Sequence, residues 1–406
     1  MSLEQRTSLV RQLHGSNKRI VLATTGGGSL AISDLLTEPG ATKTLLEAYV
    51  PYSLEALTRF LGQKPDQACS AQTARSLAMA CFERGNNRQG NVNLLGIGCT
   101  ASLASDRPKK GEHRVHIAVQ SYNSTAVFSL TFKKGARTRQ EEERLVADCL
   151  LKYLAEAAEI SFDFSVPLLE EEHFTIERTL ADAPVVDLLL GDTAAVLFLE
   201  GKPVFTKTTA EIGAPVISPQ RLVSPEVEYM QNIFPGSFAP MHQGHLRMVE
   251  LAQERLSGKI ALEISIHNVD KPPLDYLEIE HRLRQIEERS PGQAVWLTRT
   301  TRFVDKSQLF RGATFLVGAD TLKRIGDQKY YANNHSHLMD VLRVVTYCGC
   351  RFLVFARPLG EAVETLQTLT IPDMLRTLCE AVSEKEFCED ISSSGIRKCC
   401  IAEPQS

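Results

Sequence analysis

The sequence predicts an α/β protein in two parts: an N-terminal α/β domain and a C-terminal Rossmann-like domain built on a parallel sheet. Three observations predict it. The chain has 406 residues, and at roughly 100–200 residues per domain two domains are expected. From residue 231 onward, strand-like apolar runs alternate with helical stretches, the pattern of a parallel sheet covered by helices. Two Gly-containing turns, at 26–28 and 236–244, each follow a short apolar run and open a helical pattern, the arrangement with which α/β folds meet phosphates.

The first domain is expected over residues 1–160. Arg19–Ala23 reads as a strand, Thr24–Ser29 as a turn and Leu30–Leu36 as a helix. Helical patterns recur at 42–48, 53–61 and 71–84, and a strand is expected at Asn93–Gly98. The runs His113–Tyr122 and Thr125–Phe132, joined by Asn123-Ser124, read as a hairpin. Thr138–Glu159 carries Leu145, Val146, Cys149, Leu150, Tyr153 and Leu154 at helical spacing. Residues 161–230 read as a connector with strand pieces at Ala194–Leu199 and Pro203–Thr206, and prolines at 203, 215, 219 and 225 suggest a surface route. The second domain, 231–406, alternates strands (Ala261–Ile266, Ala294–Thr298, Ala313–Val317, Arg351–Phe355) with helices at 242–257, 276–289, 336–346 and 374–385.

Composition narrows the function classes. Hydrophobic residues make up 43% and charged residues 23%, with a net charge of -4, so a dedicated nucleic-acid binder, which carries a basic field, is not expected. No apolar run reaches the ~20 residues that span a bilayer, and the polar segment Met1–Lys18 is no secretory signal. A cytoplasmic protein with reduced thiols is expected. The 10 Cys include Cys348-Gly349-Cys350 and Cys399-Cys400, neither with zinc-site spacing, so no metal held by protein side chains is expected.

The segment Gly236-Ser237-Phe238-Ala239-Pro240-Met241-His242-Gln243-Gly244-His245 carries the chemistry. Gly236 and Ser237 let the backbone turn and approach phosphates closely. His242, Gly244 and His245 open a helix, and residues three apart share one face of its first turn. Two histidines beside a helix N-terminus can donate hydrogen bonds to an anionic phosphorus centre. Phosphoryl transfer needs such positioning and charge stabilisation more than covalent chemistry. Far downstream, Ser392-Ser393-Ser394-Gly395-Ile396-Arg397 offers three hydroxyls and one guanidinium that can grip phosphate oxygens; taken alone it also reads as an N-cap beside a surface arginine.

The two motifs together resemble the HxGH nucleotidylyltransferase superfamily, which includes the nicotinamide and nicotinate mononucleotide adenylyltransferases, pantetheine-phosphate adenylyltransferase and the cytidylyltransferases. The family pattern G-S-F-[DN]-P-x-H-x-G-H is matched except at Ala239, and Ile391–Arg397 is similar to its I-S-S-T-x-I-R element. The resemblance implies ATP with Mg²⁺ as donor, His242, His245 and Arg397 as catalytic residues, and Gly236, Ser237, Phe238, Gly244 and Ser392–Ser394 around the phosphates. Cys388-Glu389-Asp390 stands where cytidylyltransferases carry R-T-x-G, which favours ATP over CTP.

Smaller resemblances point to the acceptor. Gly318-Ala319-Asp320 is similar to the G-A-D segment near adenosine in the mononucleotide adenylyltransferases, and Ala356-Arg357-Pro358 is similar to a stretch of the nicotinate enzymes. Gly318 and Asp320 are therefore nucleotide candidates, and Lys271, Trp296, Arg302 and Arg357 acceptor candidates. Asp320 also reads as a helix cap, Lys271 and Arg302 as solvated cations and Trp296 as a core residue. These alternatives stay open.

Thr25-Gly26-Gly27, Pro39-Gly40-Ala41 and Tyr52-Ser53 resemble the C-terminal domain of the competence-damage-inducible (CinA) proteins, a nicotinamide mononucleotide amidohydrolase. Its nucleophilic Ser falls on Ala23 and its Lys on Leu57. Amide hydrolysis needs a nucleophile and a base, so this domain is expected to be inactive. It reads as a scaffold, a dimerisation module supporting a homo-oligomer, or a ligand sensor, with Gly26–Gly28 either a phosphate cradle or a plain turn. The joint expectation is adenylyl transfer from ATP to nicotinamide or nicotinate mononucleotide in NAD synthesis, an inference by analogy. The alternatives are another phosphate acceptor, such as phosphopantetheine, or a nucleotide-binding regulator without catalysis.

Overall fold

The computed structural model describes residues 1–86, 92–106, 110–208, 231–268, 271–359 and 362–387. The chain forms two compact units, one of Met1–Val186 with Asn268–Glu280, the other of Asp187–His267 with His281–Ser406.

The first unit holds a six-stranded mixed sheet. Its strands are β1 (Arg19–Thr25), β2 (Leu45–Tyr49), β3 (Leu94–Ser102), β4 (His113–Gln120), β5 (Ser124–Phe132) and β6 (His173–Leu180), in the order β2-β1-β3-β4-β5-β6. β1 runs parallel to β2 and β3, and the remaining pairs are antiparallel. Side-chain alternation splits β4 and β5 between two apolar layers. Val115, Ile117, Val119, Phe128 and Leu130 pack with helices Leu3–Gly15, Ser29–Thr37 and Arg139–Ala157, whereas Ala118 and Val127 pack with Ala74 and Ala78 of helix Ala71–Gly85. That last helix lies close because Gly96 and Gly98 face it: a Cβ on either would stand 2.2 Å from Ala78 O or 2.1 Å from Ala74 O.

One expectation here is corrected, and one helix is added. The helix expected over 42–48 is one short turn, Ala41–Thr44, followed by β2, because Leu45–Tyr49 can pair with the edge of β1. Residues 3–15 form a helix whose start has a capping box, Ser2 with Gln5.

The Gly-rich turn after β1 is closed from within the unit. The Glu143 carboxylate accepts the backbone N–H groups of Gly28 (2.9 Å) and Leu30 (3.2 Å) and the Ser29 hydroxyl (2.9 Å). It thereby takes up the free N–H groups and the positive end of helix Ser29–Thr37. The Arg139 guanidinium donates to Gly26 O (2.7 Å), and the Thr24 hydroxyl donates to Gly27 O. Ala23 and Leu57 are buried, with 0% and 1% exposure.

The second unit holds an eight-stranded sheet of β7 (Thr193–Leu199), β8 (Lys202–Thr208), β9 (Asn232–Pro235), β10 (Ile260–Ser265), β11 (Val295–Thr298), β12 (Thr314–Gly318), β13 (Arg351–Phe355) and β16 (Cys379–Ala381), in the order β16-β13-β12-β9-β10-β11-β7-β8. β14 (Arg357–Leu359) and β15 (Ala362–Glu364) form a separate hairpin. The strands from β16 to β11 are parallel, and β7 and β8 add an antiparallel hairpin beyond β11. The expected connector therefore supplies β6 to the first sheet and β7–β8 to the second; residues 209–230 lie outside the described set. The expected helix at 374–385 is a single turn, Asp373–Arg376, followed by β16. Pairing of Cys379–Ala381 with Phe352–Val354 outweighs the local helical pattern. Among the described residues no helix is long and apolar enough to cross a membrane.

Candidate functional site

The carboxyl ends of β9, β12 and β13 open into a cleft of about 720 Å³, open to solvent, within the second unit. Pro235, Gly318 and Ala356 mark these strand ends on its lining, as open α/β sheets position ligands. His242, Gly244, His245, Asp320 and Arg357 supply polar groups and close backbone, and Met248, Phe355 and Phe387 supply apolar walls.

The loop between β9 and helix Gln243–Arg255 is shaped by packing. Phe238 is fully buried with φ +45°, a conformation that few residues without Asn, Asp or Gly side chains adopt. Its ring stands edge-on to Phe234 at 5.2 Å and to His245 at 5.0 Å. Gly236 makes room for that ring: a Cβ there would stand 2.7 Å from Phe238 Cζ. The loop is tied down by Gly236 N–H donating to Glu263 O (2.9 Å) and Arg282 donating to Ser237 O (3.1 Å).

At the helix start the two imidazoles stack, with centroids 3.6 Å apart and planes 26° apart. The backbone N–H of His242 donates to His245 Nδ1 at 3.2 Å. A neutral His245 therefore carries its proton on Nε2 and presents a donor there. Burial, then His242, then Arg357 push the His245 imidazolium down to about 3. Burial, Arg357 and Arg289 also lower His242. His242 Nδ1 is buried without a hydrogen-bond partner among the described residues. Two neutral imidazoles facing a cationic neighbour suit an anionic ligand: they donate to its oxygens without a like-charge cost between the rings.

Residues 233–399 match the family model described as Cytidylyltransferase-like. This is a nucleotidyltransferase domain. Solved structures are similar over a smaller share of the chain. A competence/damage inducible protein of Agrobacterium tumefaciens has 21% identity, covers 39% of this chain and 99% of its own, and has a TM-score of 0.33. A competence-damaged (CinA) superfamily protein of Escherichia coli has 19% identity, covering 38% and 88%, with a TM-score of 0.30. A competence or damage-inducible protein of Enterobacter asburiae has 20% identity, covering 38% and 97%, with a TM-score of 0.31. No match is found among curated proteins.

In the nucleotidyltransferase domain, the candidates His242, Gly244, His245, Gly318, Asp320 and Arg357 come together on one cleft. Gly236, Ser237 and Phe238 form the loop beneath it. Ser392, Ser393, Ser394 and Arg397 lie outside the described residues. Asp320 is exposed in the first turn of helix Ala319–Gly326, whose N-cap Gly318 makes no side-chain cap.

The other acceptor candidates do not join them. Trp296 is 2% exposed in the core of the sheet, edge-on to Phe205 (6.0 Å) and Phe310 (5.5 Å), with Lys207 Nζ 5.5 Å from its ring centroid. That is a correction: packed on these sides, the indole offers no platform to a pyridine ring. Arg302 is exposed and holds Asp305 through two bonds of 2.9 and 3.1 Å. Lys271 is exposed and is not among the described lining residues.

One buried group was not singled out from sequence. Lys306 Nζ lies 2.6 Å from both Glu263 carboxylate oxygens, and the Thr298 hydroxyl donates to the same carboxylate at 2.5 Å. Both charges are nearly inaccessible, at 6% and 1% side-chain exposure. The signal was present as Glu263 inside the otherwise apolar run Ile260–Ile264.

Proposed function

We propose that the nucleotidyltransferase domain transfers the adenylyl group of ATP to nicotinamide or nicotinate mononucleotide. The acceptor's phosphate oxygen attacks the α-phosphorus, that oxygen–phosphorus bond forms, and the bond to the bridging oxygen breaks as pyrophosphate leaves. The observation that carries this reading is the stacked pair His242–His245, fixed by a backbone hydrogen bond and lining one cleft with Arg357. His245 Nε2–H and the His242 ring donate to the oxygens of the reacting phosphate, and Arg357 offsets their charge. Gly318 and Asp320 lie at the nucleoside end. Ser392–Ser394 and Arg397 receive the leaving phosphates in this reading, on sequence grounds alone.

Mg²⁺ enters with the triphosphate. Such ions keep several waters and bind mainly through substrate phosphates and one or two carboxylates. The cleft fits that mode: Asp320 supplies a carboxylate among its described lining residues.

The test is a panel. Purified protein with Mg-ATP or Mg-CTP is offered nicotinamide mononucleotide, nicotinate mononucleotide and phosphopantetheine, and pyrophosphate is measured. Release with ATP and a pyridine mononucleotide is expected. Release only with phosphopantetheine, or only with CTP, would replace the substrate assignment. Nucleotide binding without release in any arm would make the domain a regulator.

A further inference from the structure

The first unit has a second concave site that none of the motifs predicted. It lies where the chain enters β1 and β3, at the end of the sheet away from the turn that follows β1. It is a cleft of about 810 Å³, open to solvent, between the β4–β5 hairpin, β6 and the last turn of helix Arg139–Ala157. We propose that this cleft binds a neutral, planar aromatic molecule that carries a hydrogen-bond acceptor, through the hydroxyl of Tyr153.

Tyr153 lines the cleft and is 1% exposed, yet its Oη has no hydrogen-bond partner among the described residues. Buried phenols normally find one. The oxygen's position is fixed, because the ring is clamped between two nearly parallel rings, Phe128 at 3.6 Å and 13° and Phe174 at 5.7 Å and 11°. Burial pushes the phenol's ionisation up, so the group remains a donor in search of an acceptor. Beside it, Val119, Ala126 and Phe128 give an apolar wall suited to a flat ring.

The rim selects against net charge. Lys18 pairs with Glu159 at 3.7 Å and Arg178 with Glu156 at 3.9 Å, and all four line the cleft. Two cations and two anions leave no surplus to hold an anionic or a cationic ligand. Ser121, Asn123 and Ser124 share the lining, so an apolar wall, a few polar groups and a balanced rim stand together, the composition of a small-molecule site.

The test uses the full chain and three probes: benzamide, toluene, which lacks the acceptor, and benzoate, which carries charge. Binding is followed by ligand-observed NMR titration. Benzamide is expected to bind about tenfold more tightly than either control, the worth of one hydrogen bond. Tyr153→Phe should abolish its advantage over toluene. Equal affinities in the unaltered protein would overturn the proposal, as would benzamide binding that Tyr153→Phe leaves intact. Should that variant unfold, ring-proton Overhauser contacts from benzamide to the Val119 and Ala126 methyl groups decide in the unaltered protein. Their presence supports the site and their absence refutes it.

Discussion

The backbone N–H of His242 donates a hydrogen bond to Nδ1 of His245 across 3.2 Å. That bond leaves Nε2–H of His245 as the donor. Replacing His245 by Ala removes it and should lower turnover by about 10²–10³-fold, as for loss of one transition-state donor. Single-turnover pyrophosphate release measures it, and an unchanged rate would remove His245 from the mechanism.

The same residue predicts acid sensitivity. Its folded value, about 3, lies below the ordinary 6.5, so the neutral ring is favoured in the fold. Its contribution is fully present above pH 6.5 and is lost as the pH falls from there toward 3, where the unfolded chain binds the extra proton. The unfolding midpoint of the wild type should therefore drop more steeply across this window than that of His245→Asn. Parallel curves would contradict the assignment.

Gly236→Ala should disturb the site without touching a histidine. The added methyl meets the Phe238 ring at 2.7 Å, and that ring packs on His245. A stability loss of about 1–3 kcal/mol is expected from overpacking, together with reduced turnover. Thermal unfolding and a rate assay check both, and wild-type behaviour in both would mean that the loop accommodates the methyl.

The buried pair Glu263–Lys306 gives a double-mutant prediction. Lys306→Met leaves a buried carboxylate uncompensated and should cost about 3–5 kcal/mol, whereas Lys306→Met with Glu263→Leu should recover most of it. Urea denaturation of the single and double variants measures the difference. A double variant as unstable as the single one would argue that the pair is not the source.

Trp296→Phe should leave the acceptor KM within about twofold, since the indole is core packing between Phe205 and Phe310. A tenfold rise would restore it as a binding residue.

The catalytic loop was legible in the sequence because its chemistry is local: Gly236 to His245 is one continuous segment with fixed spacing. The alternation from β9 to β13 was legible for a similar reason, since buried parallel strands are short apolar runs separated by amphipathic helices. The failures are long-range. Residues 45–49 and 379–381 have weak local preferences, and partners distant in sequence, β1 and β13, make them strands. Trp296 read both ways, as an acceptor contact before a polar, cationic turn or as a core residue, and the structure takes the core reading in a strand buried at every position. Arg282, which holds Ser237 O, belongs to no motif and became visible only when helix Tyr276–Arg289 met the loop.

Glu143 behaves as a resident ligand of the N-terminal turn. The N–H groups of Gly28 and Leu30 face not an empty cradle but a carboxylate held in place by its own helix. The donors of this turn are therefore already spent within the fold, on a carboxylate that arrives from a helix more than a hundred residues downstream.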